Sequence, residues 1–163
     1  MPKIDLSTVP EISRSGYPAP FAKAVAGRSY QRLGAAAGLK DFAANLCRLA
    51  PGAWSSQRHW HSEEDEFVMM VAGEAVLITD AGETVMRPGD CAAFPAGLAD
   101  AHHLINRSEH DALFLAIGPD KPSDTCTYPD IDMHLPRNDG PFTHKDGTRY
   151  WGLNSGPSRA AAR

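Results

Sequence analysis

Between residues 42 and 118, short apolar or alternating runs follow one another at close, even intervals, each ended by a turn signal. The pattern predicts strands over 42–49, 66–71, 75–79, 84–86, 91–94, 102–105 and 112–117. Between them stand Pro51-Gly52, Gly73-Glu74, Asp80-Ala81-Gly82, Pro88-Gly89-Asp90 and Pro95-Ala96-Gly97, residue types that preset the backbone for tight turns. No helix-period segment is long enough to interleave with these strands. The expectation is an all-β antiparallel sandwich or barrel.

The flanks read differently. Residues 1–40 form an extended N-terminal arm punctuated by Pro10, Pro18 and Pro20, with 21–26 a strand or helical turn and the Gly/Ala-rich 32–39 a loop. After Gly118 the chain turns polar and proline-rich, with Tyr128, Ile131, Met133, Leu135, Phe142, Tyr150 and Trp151 as apolar anchors. The expected organisation is an arm (1–40), a barrel (41–118) and a C-terminal tail (119–163) that packs on its own barrel or on a neighbouring subunit. Residues 155–163 are expected to fray. Apolar side chains of arm and tail exceed what one small barrel covers, which predicts a homodimer.

Composition narrows the partners. The 163 residues fit one domain with arms, and 14 Gly with 13 Pro favour short strands over a helical bundle. The net charge is −4 and Lys and Arg are scattered, so there is no basic footprint for nucleic acid. No apolar run approaches the roughly 18 residues that cross a bilayer, and residues 1–10 lack the apolar core of a secretory signal. A cytoplasmic protein without membrane contact is expected. Cys47, Cys91 and Cys126 are odd in number and never in a C-x-x-C pair, which suggests neither a disulfide framework nor a zinc knuckle. Cys47 and Cys91 read as buried hydrophobes, Cys126 in its polar tail as exposed, and Glu63-Glu64-Asp65 as a solvated turn.

The candidate chemistry lies in two segments. His59 and His61 stand two apart, so on an extended strand both imidazoles leave one face and can bite a single cation. Glu66 opens the next apolar run on the face of Val68 and Met70. A carboxylate so placed points inward and needs a cation or donors there. In the second segment His102 shares a strand face with Leu104, while His103 points to the other side. A histidine or an acidic residue alone would be an ordinary feature. Jointly, His59, His61, Glu66 and His102 point to a metal ion.

These spacings resemble the two signature motifs of the cupin superfamily. The first motif is matched by His59, His61, Glu66 and Gly73, with one residue more than usual between Gly52 and His59. The second is matched by Gly89, Pro95, Gly97, His102 and Asn106, with two extra residues between Gly97 and His102. The insertion leaves His103 as an alternative ligand; the Asn106 spacing and the strand face favour His102. The resemblance covers about residues 42–118. It implies a single double-stranded β-helix, a jelly-roll-like barrel, holding one divalent metal ion (Fe, Mn, Ni, Co or Zn) and a small-molecule ligand.

Three neutral imidazoles and one carboxylate would leave such an ion with charge of about +1 and, if octahedral, about two open positions. An open ion can polarise a carbonyl or bind a substrate beside O2. The expectation is a metal-dependent enzyme, dioxygenase-like ahead of isomerase, lyase or decarboxylase. A non-catalytic binding or sensing module is the alternative, and a purely structural metal ranks last. No catalytic residue stands out. His103, His110, His134, His144 and Tyr128 are the acid–base candidates, and Trp54 and Trp60 read as rim aromatics.

Overall fold

The computed structural model describes residues 3–150, and its frame is a long antiparallel pair. β3 (Ala43–Leu49) and β10 (Ala112–Gly118) run in register from Leu49↔Ala112 to Ala43↔Gly118. β5 (Glu66–Ala72) pairs with the other side of β10, and β8 (Cys91–Phe94) with β5. Beyond β3 lie β2 (Arg28–Arg32) and β1 (Glu11–Ile12), which completes a six-stranded sheet in the order β1-β2-β3-β10-β5-β8. A second sheet joins β7 (Gly82–Met86), β6 (Ala75–Thr79) and β9 (His103–Ile105) in that order. A third joins β12 (Met133–Leu135), β11 (Cys126–Tyr128) and β4 (Trp60–His61).

The period-two pattern decides which side chains meet. On β5, Val68 and Met70 are buried while Phe67, Met69 and Val71 are exposed. The main core unites Tyr30, Leu49, Met70 and Phe114 of the large sheet with Ala75, Met86 and Leu104 of the β7-β6-β9 sheet. The two sheets therefore pack face to face across it. A second cluster, Cys126, Tyr128, Met133 and Leu135, is packed by Tyr17 and Phe21 from the arm and Phe142 from the tail. Tyr128 meets the Tyr17 ring edge-on at 5.9 Å. Arm and tail thus close on each other beside β4. Tyr128, Met133 and Leu135, among the residues on which the expected homodimer rested, are covered within the chain. Trp151 and residues 155–163 lie outside the described residues.

Several local expectations need correction. Residues 32–39 contain a short helix, α1 (Leu33–Ala36), where a loop is expected, and of the two alternatives for 21–26 the structure has the helical turn, a 3-10 turn over Phe21–Val25. The cysteines exchange places: Cys91 is exposed and Cys126 fully buried, because β11 turns Cys126 inward against Leu135 and His61. Glu64 is buried, so its acidic run is not simply solvated. Among the described residues no helix is long and apolar enough to cross a membrane.

Gly73, at the turn between β5 and β6, has φ +70, and a Cβ there would lie 2.4 Å from Asp111 O and 2.9 Å from Ala112 Cα. Gly52 shares the positive φ, at +79, but faces open space. Gly73→Ala should therefore cost more than about 2 kcal/mol, strain plus backbone collision, and Gly52→Ala only about 1 kcal/mol. Urea-unfolding midpoints check this, and equal losses at the two sites would refute it.

Candidate metal centre

The backbone brings the two motif segments together. His59 and His102 form an antiparallel bridge outside the named strands: His59 N donates to His102 O at 3.2 Å, and His102 N to His59 O at 2.8 Å. His61, two residues on, pairs with Cys126 of β11, and Gly97 N donates to its carbonyl at 2.8 Å. Glu66 begins β5 opposite Phe94 of β8. His102 thus lies just ahead of β9 rather than within it, held by His59.

The four side chains of the motifs converge. Glu66 Oε2 stands 3.1 Å from His102 Nε2, 3.8 Å from His61 Nε2 and 3.9 Å from His59 Nε2. Donors ~2.1 Å from one ion are separated by ~3.0 Å when adjacent in an octahedron and by ~4.2 Å when opposite. The observed separations fall between these limits. The three imidazoles are buried, whereas the Glu66 side chain keeps 27% of its exposure and so marks the open side. Burial by itself would raise the Glu66 carboxyl pKa; the hydrogen bond with His102 and the nearby imidazoles outweigh it and hold the group well below the ordinary carboxylate range. The group is thus an anion aimed at three ring nitrogens. His59, Glu66 and His102 form a group that could hold a metal ion, with His61 Nε2 beside it.

The Cupin domain family model matches residues 45–118. The "sugar phosphate isomerase from a cupin superfamily" of Silicibacter pomeroyi is 48% identical, over 91% of this chain and 96% of that one, with a TM-score of 0.87. The chain belongs to the cupin superfamily. A protein from Acidithiobacillus ferrooxidans, to which sugar phosphate isomerase activity is also attributed, is 29% identical over 77% of this chain and 81% of its own, with a TM-score of 0.68. The predicted oxalate decarboxylase of Thermotoga maritima shares the fold at 20% identity, covering 72% of this chain and 97% of that one with a TM-score of 0.57. A search of curated proteins found no match.

In this cupin, partners behind the rings choose the tautomers. His59 Nδ1 lies 2.9 Å from the Gln57 carbonyl, which can only accept, so Nδ1 carries the proton and Nε2 presents its lone pair. His61 Nδ1 lies 2.6 Å from Asp124 Oδ2, with the same result. Asp124 is fully buried and is itself held by Glu63 N at 2.9 Å and Ser62 Oγ at 3.3 Å. Glu64 Oε2 lies 3.7 Å from the same Nδ1, and its other oxygen accepts from Lys121 N and Asn138 Nδ2. Two rings fix the remaining orientations: Phe94 stacks on His102 with centroids 3.4 Å apart, and Tyr128 on His59 at 5.6 Å. A carboxylate behind a ligating imidazole orients it and raises its basicity. Asp124 and Glu64 escaped sequence reasoning, since one sits in the polar tail and the other in an acidic run.

Arg58 ties this assembly down. Its guanidinium bonds Asp130 of the tail at 2.7 and 2.8 Å, Asp80 after β6, and the carbonyl of Ala101, the residue before His102.

The cluster opens on a cavity of about 290 Å3 that is also lined by His103, Tyr30 and Arg28. His110, His134 and His144 do not line it; His144 bonds Asp132 at 2.7 Å. Trp54 packs on the His103 ring at 4.5 Å, and Trp60 sits on β4. His103 is buried, with Nδ1 lacking a hydrogen-bond partner among the described residues. Burial, reinforced by Arg58, pushes its pKa down to about 4.

That shift fixes a pH dependence. The folded pKa lies below the ordinary 6.5, so as pH falls the unfolded chain protonates first. Stability from this group is complete above pH 6.5 and declines toward pH 4, by roughly 3 kcal/mol in all. In EDTA-treated protein, His103→Gln should reduce the pH 7-to-4 loss of unfolding free energy by about that amount. Parallel urea titrations of variant and parent at both pH values check it; an unchanged loss would refute the assignment.

Proposed function

We propose that this cupin is a metal-dependent isomerase of small phosphorylated sugars. The observation that carries the reading is the convergence of three imidazole Nε2 atoms on Glu66 Oε2 at the wall of a cavity. The donor set, three nitrogens and one oxygen with its tautomers set from behind, suits a divalent ion of the Fe, Mn, Ni, Co or Zn series. The named activity of the relative that is 48% identical supports isomerisation ahead of oxygen chemistry and so reverses the order expected from sequence.

His59, His61, Glu66 and His102 would hold the ion. When bound, it supplies an electrophile for the carbonyl and hydroxyl oxygens of a sugar. The chain's own part is to orient those ligands, through Asp124, Gln57 and the stacked rings, and to move one proton between adjacent carbons. His103 is our candidate for that transfer: it lines the cavity, its depressed pKa keeps the imidazole neutral near pH 7, and Nδ1 has no hydrogen-bond partner among the described residues.

Protein purified without chelator should carry about one ion per chain by elemental analysis, and interconvert an aldose phosphate and its ketose. His59→Ala and Glu66→Gln should each lose the ion. Asp124→Asn should keep the fold while weakening the ion by roughly 10–100-fold in chelator competition. His103→Gln should retain the ion and lower kcat by about 10²–10⁴-fold. An ion-loaded protein that interconverts none of a panel of sugar phosphates, yet consumes O2 with Fe(II) and an organic substrate, would overturn the isomerase reading.

A further inference from the structure

We infer that the cavity carries an anion subsite, built by Arg28 and Tyr30 on β2, which takes the phosphate group of the substrate. The anion subsite stands on its own observations; its assignment to a phosphorylated sugar rests on the isomerase reading above. Arg28 and Tyr30 are two apart on β2, and both line the same cavity as the His/Glu cluster. Side chains two apart leave one strand face.

Tyr30 is the first observation. Its residue is only 5% exposed and its ring belongs to the main core, yet its hydroxyl has no hydrogen-bond partner among the described residues. A buried hydroxyl without a partner costs free energy that the fold does not recover elsewhere. Hydroxyls in the interior are normally satisfied, so a buried, unpartnered one in a residue that lines the cavity is a donor that an occupant could take up.

Arg28 is the second. Its Nη1 donates to the Ser55 carbonyl at 2.6 Å, which fixes the guanidinium. No carboxylate among the described residues pairs with it, whereas Arg48, Arg58, Arg87, Arg107 and Arg137 all have acidic partners. Its Cζ stands 5.7 Å from the Tyr30 ring centroid, so both donors serve one region. A guanidinium has five N–H donors, and its remaining fork matches the paired oxygens of a phosphate. Arg14 and Arg32 also act electrostatically on Tyr30, which adds positive potential on that side. The metal candidates come from β4 and the residue before it, from β5 and from the segment ahead of β9, and the anion donors from β2. One cavity of about 290 Å3 therefore offers a cationic clamp and a carbonyl-binding cluster to the two ends of one small molecule.

The test is isothermal titration of the full-length, EDTA-treated protein with inorganic phosphate, and in parallel with acetate. Parent protein should bind one phosphate per chain in the millimolar range and acetate more weakly. Arg28→Gln should weaken phosphate at least about tenfold, Arg28→Lys by less because it keeps charge but loses the fork, and Tyr30→Phe by roughly three- to tenfold. None of the three should alter ion retention at the His/Glu cluster. If Arg28→Gln does not fold, Arg28→Lys and Tyr30→Phe carry the same comparison. Parent protein that does not bind phosphate, variants that bind it as well as the parent, or acetate bound more tightly than phosphate would each overturn the proposal. Phosphate binding that responds to these substitutions, in a protein that isomerises no sugar phosphate, would instead overturn only the isomerase reading.

Discussion

Two backbone hydrogen bonds between His59 and His102 are the constraint on which the site depends. They join segments far apart in the chain, supported by further bonds between the same segments: Gly52 N to Asn106 O, Ser55 N to Leu104 O and Asn106 N to Ala53 O. The sheets that flank them absorb the entropy of closing that long loop. Once the two residues face each other, His61 must lie one strand repeat further along the same face, and Glu66 enters from β5 opposite. Side chains that would each be costly to bury alone then share one locus. The positions of the four groups are in this sense a property of the sheet, and only their ring orientations remain for the surroundings to set.

Most of this was legible in the chain because it is periodic. The alternation of Val68 and Met70 with exposed Phe67 and Met69 announces a half-buried strand, and it aims Glu66 inward by the same arithmetic. Strands 75–79 and 91–94 were placed to the residue. What escaped is what has no period. β1 and β4 span two residues each and β11 and β12 three, too short for alternation to register. Asp124 reaches His61 through a pairing between tail and β4 that no local rule foretells, and the burial of Cys126 follows from the same pairing. Arg28 and Tyr30 looked unremarkable in a poorly patterned arm, because the sheet edge they join forms only with β3.

The stretch matched by the family model, 45–118, contains the four clustered residues but neither Asp124 nor Arg28 and Tyr30. The barrel therefore carries what cupins of many activities hold in common, and the flanks carry what can differ. Relatives under 25% identical share the fold alone, and a fold is a poor guide to chemistry. For this chain the discriminating features are the carboxylate behind His61, the aromatic wall from Tyr17, Tyr128 and Phe142, and the Arg28 guanidinium, which lines the cavity and bonds the Ser55 carbonyl.

The dependence of His61 on Asp124 has a temporal side. A chain emerging from the ribosome begins to fold from its N-terminal end, and every strand of the six-stranded sheet and of the β7-β6-β9 sheet is complete by Gly118. The barrel can therefore assemble while His61 still lacks the carboxylate that sets its tautomer and Tyr128 has yet to cover His59. Structural maturity precedes chemical maturity, and the interval between them is the time taken to synthesise the first ten residues of the tail.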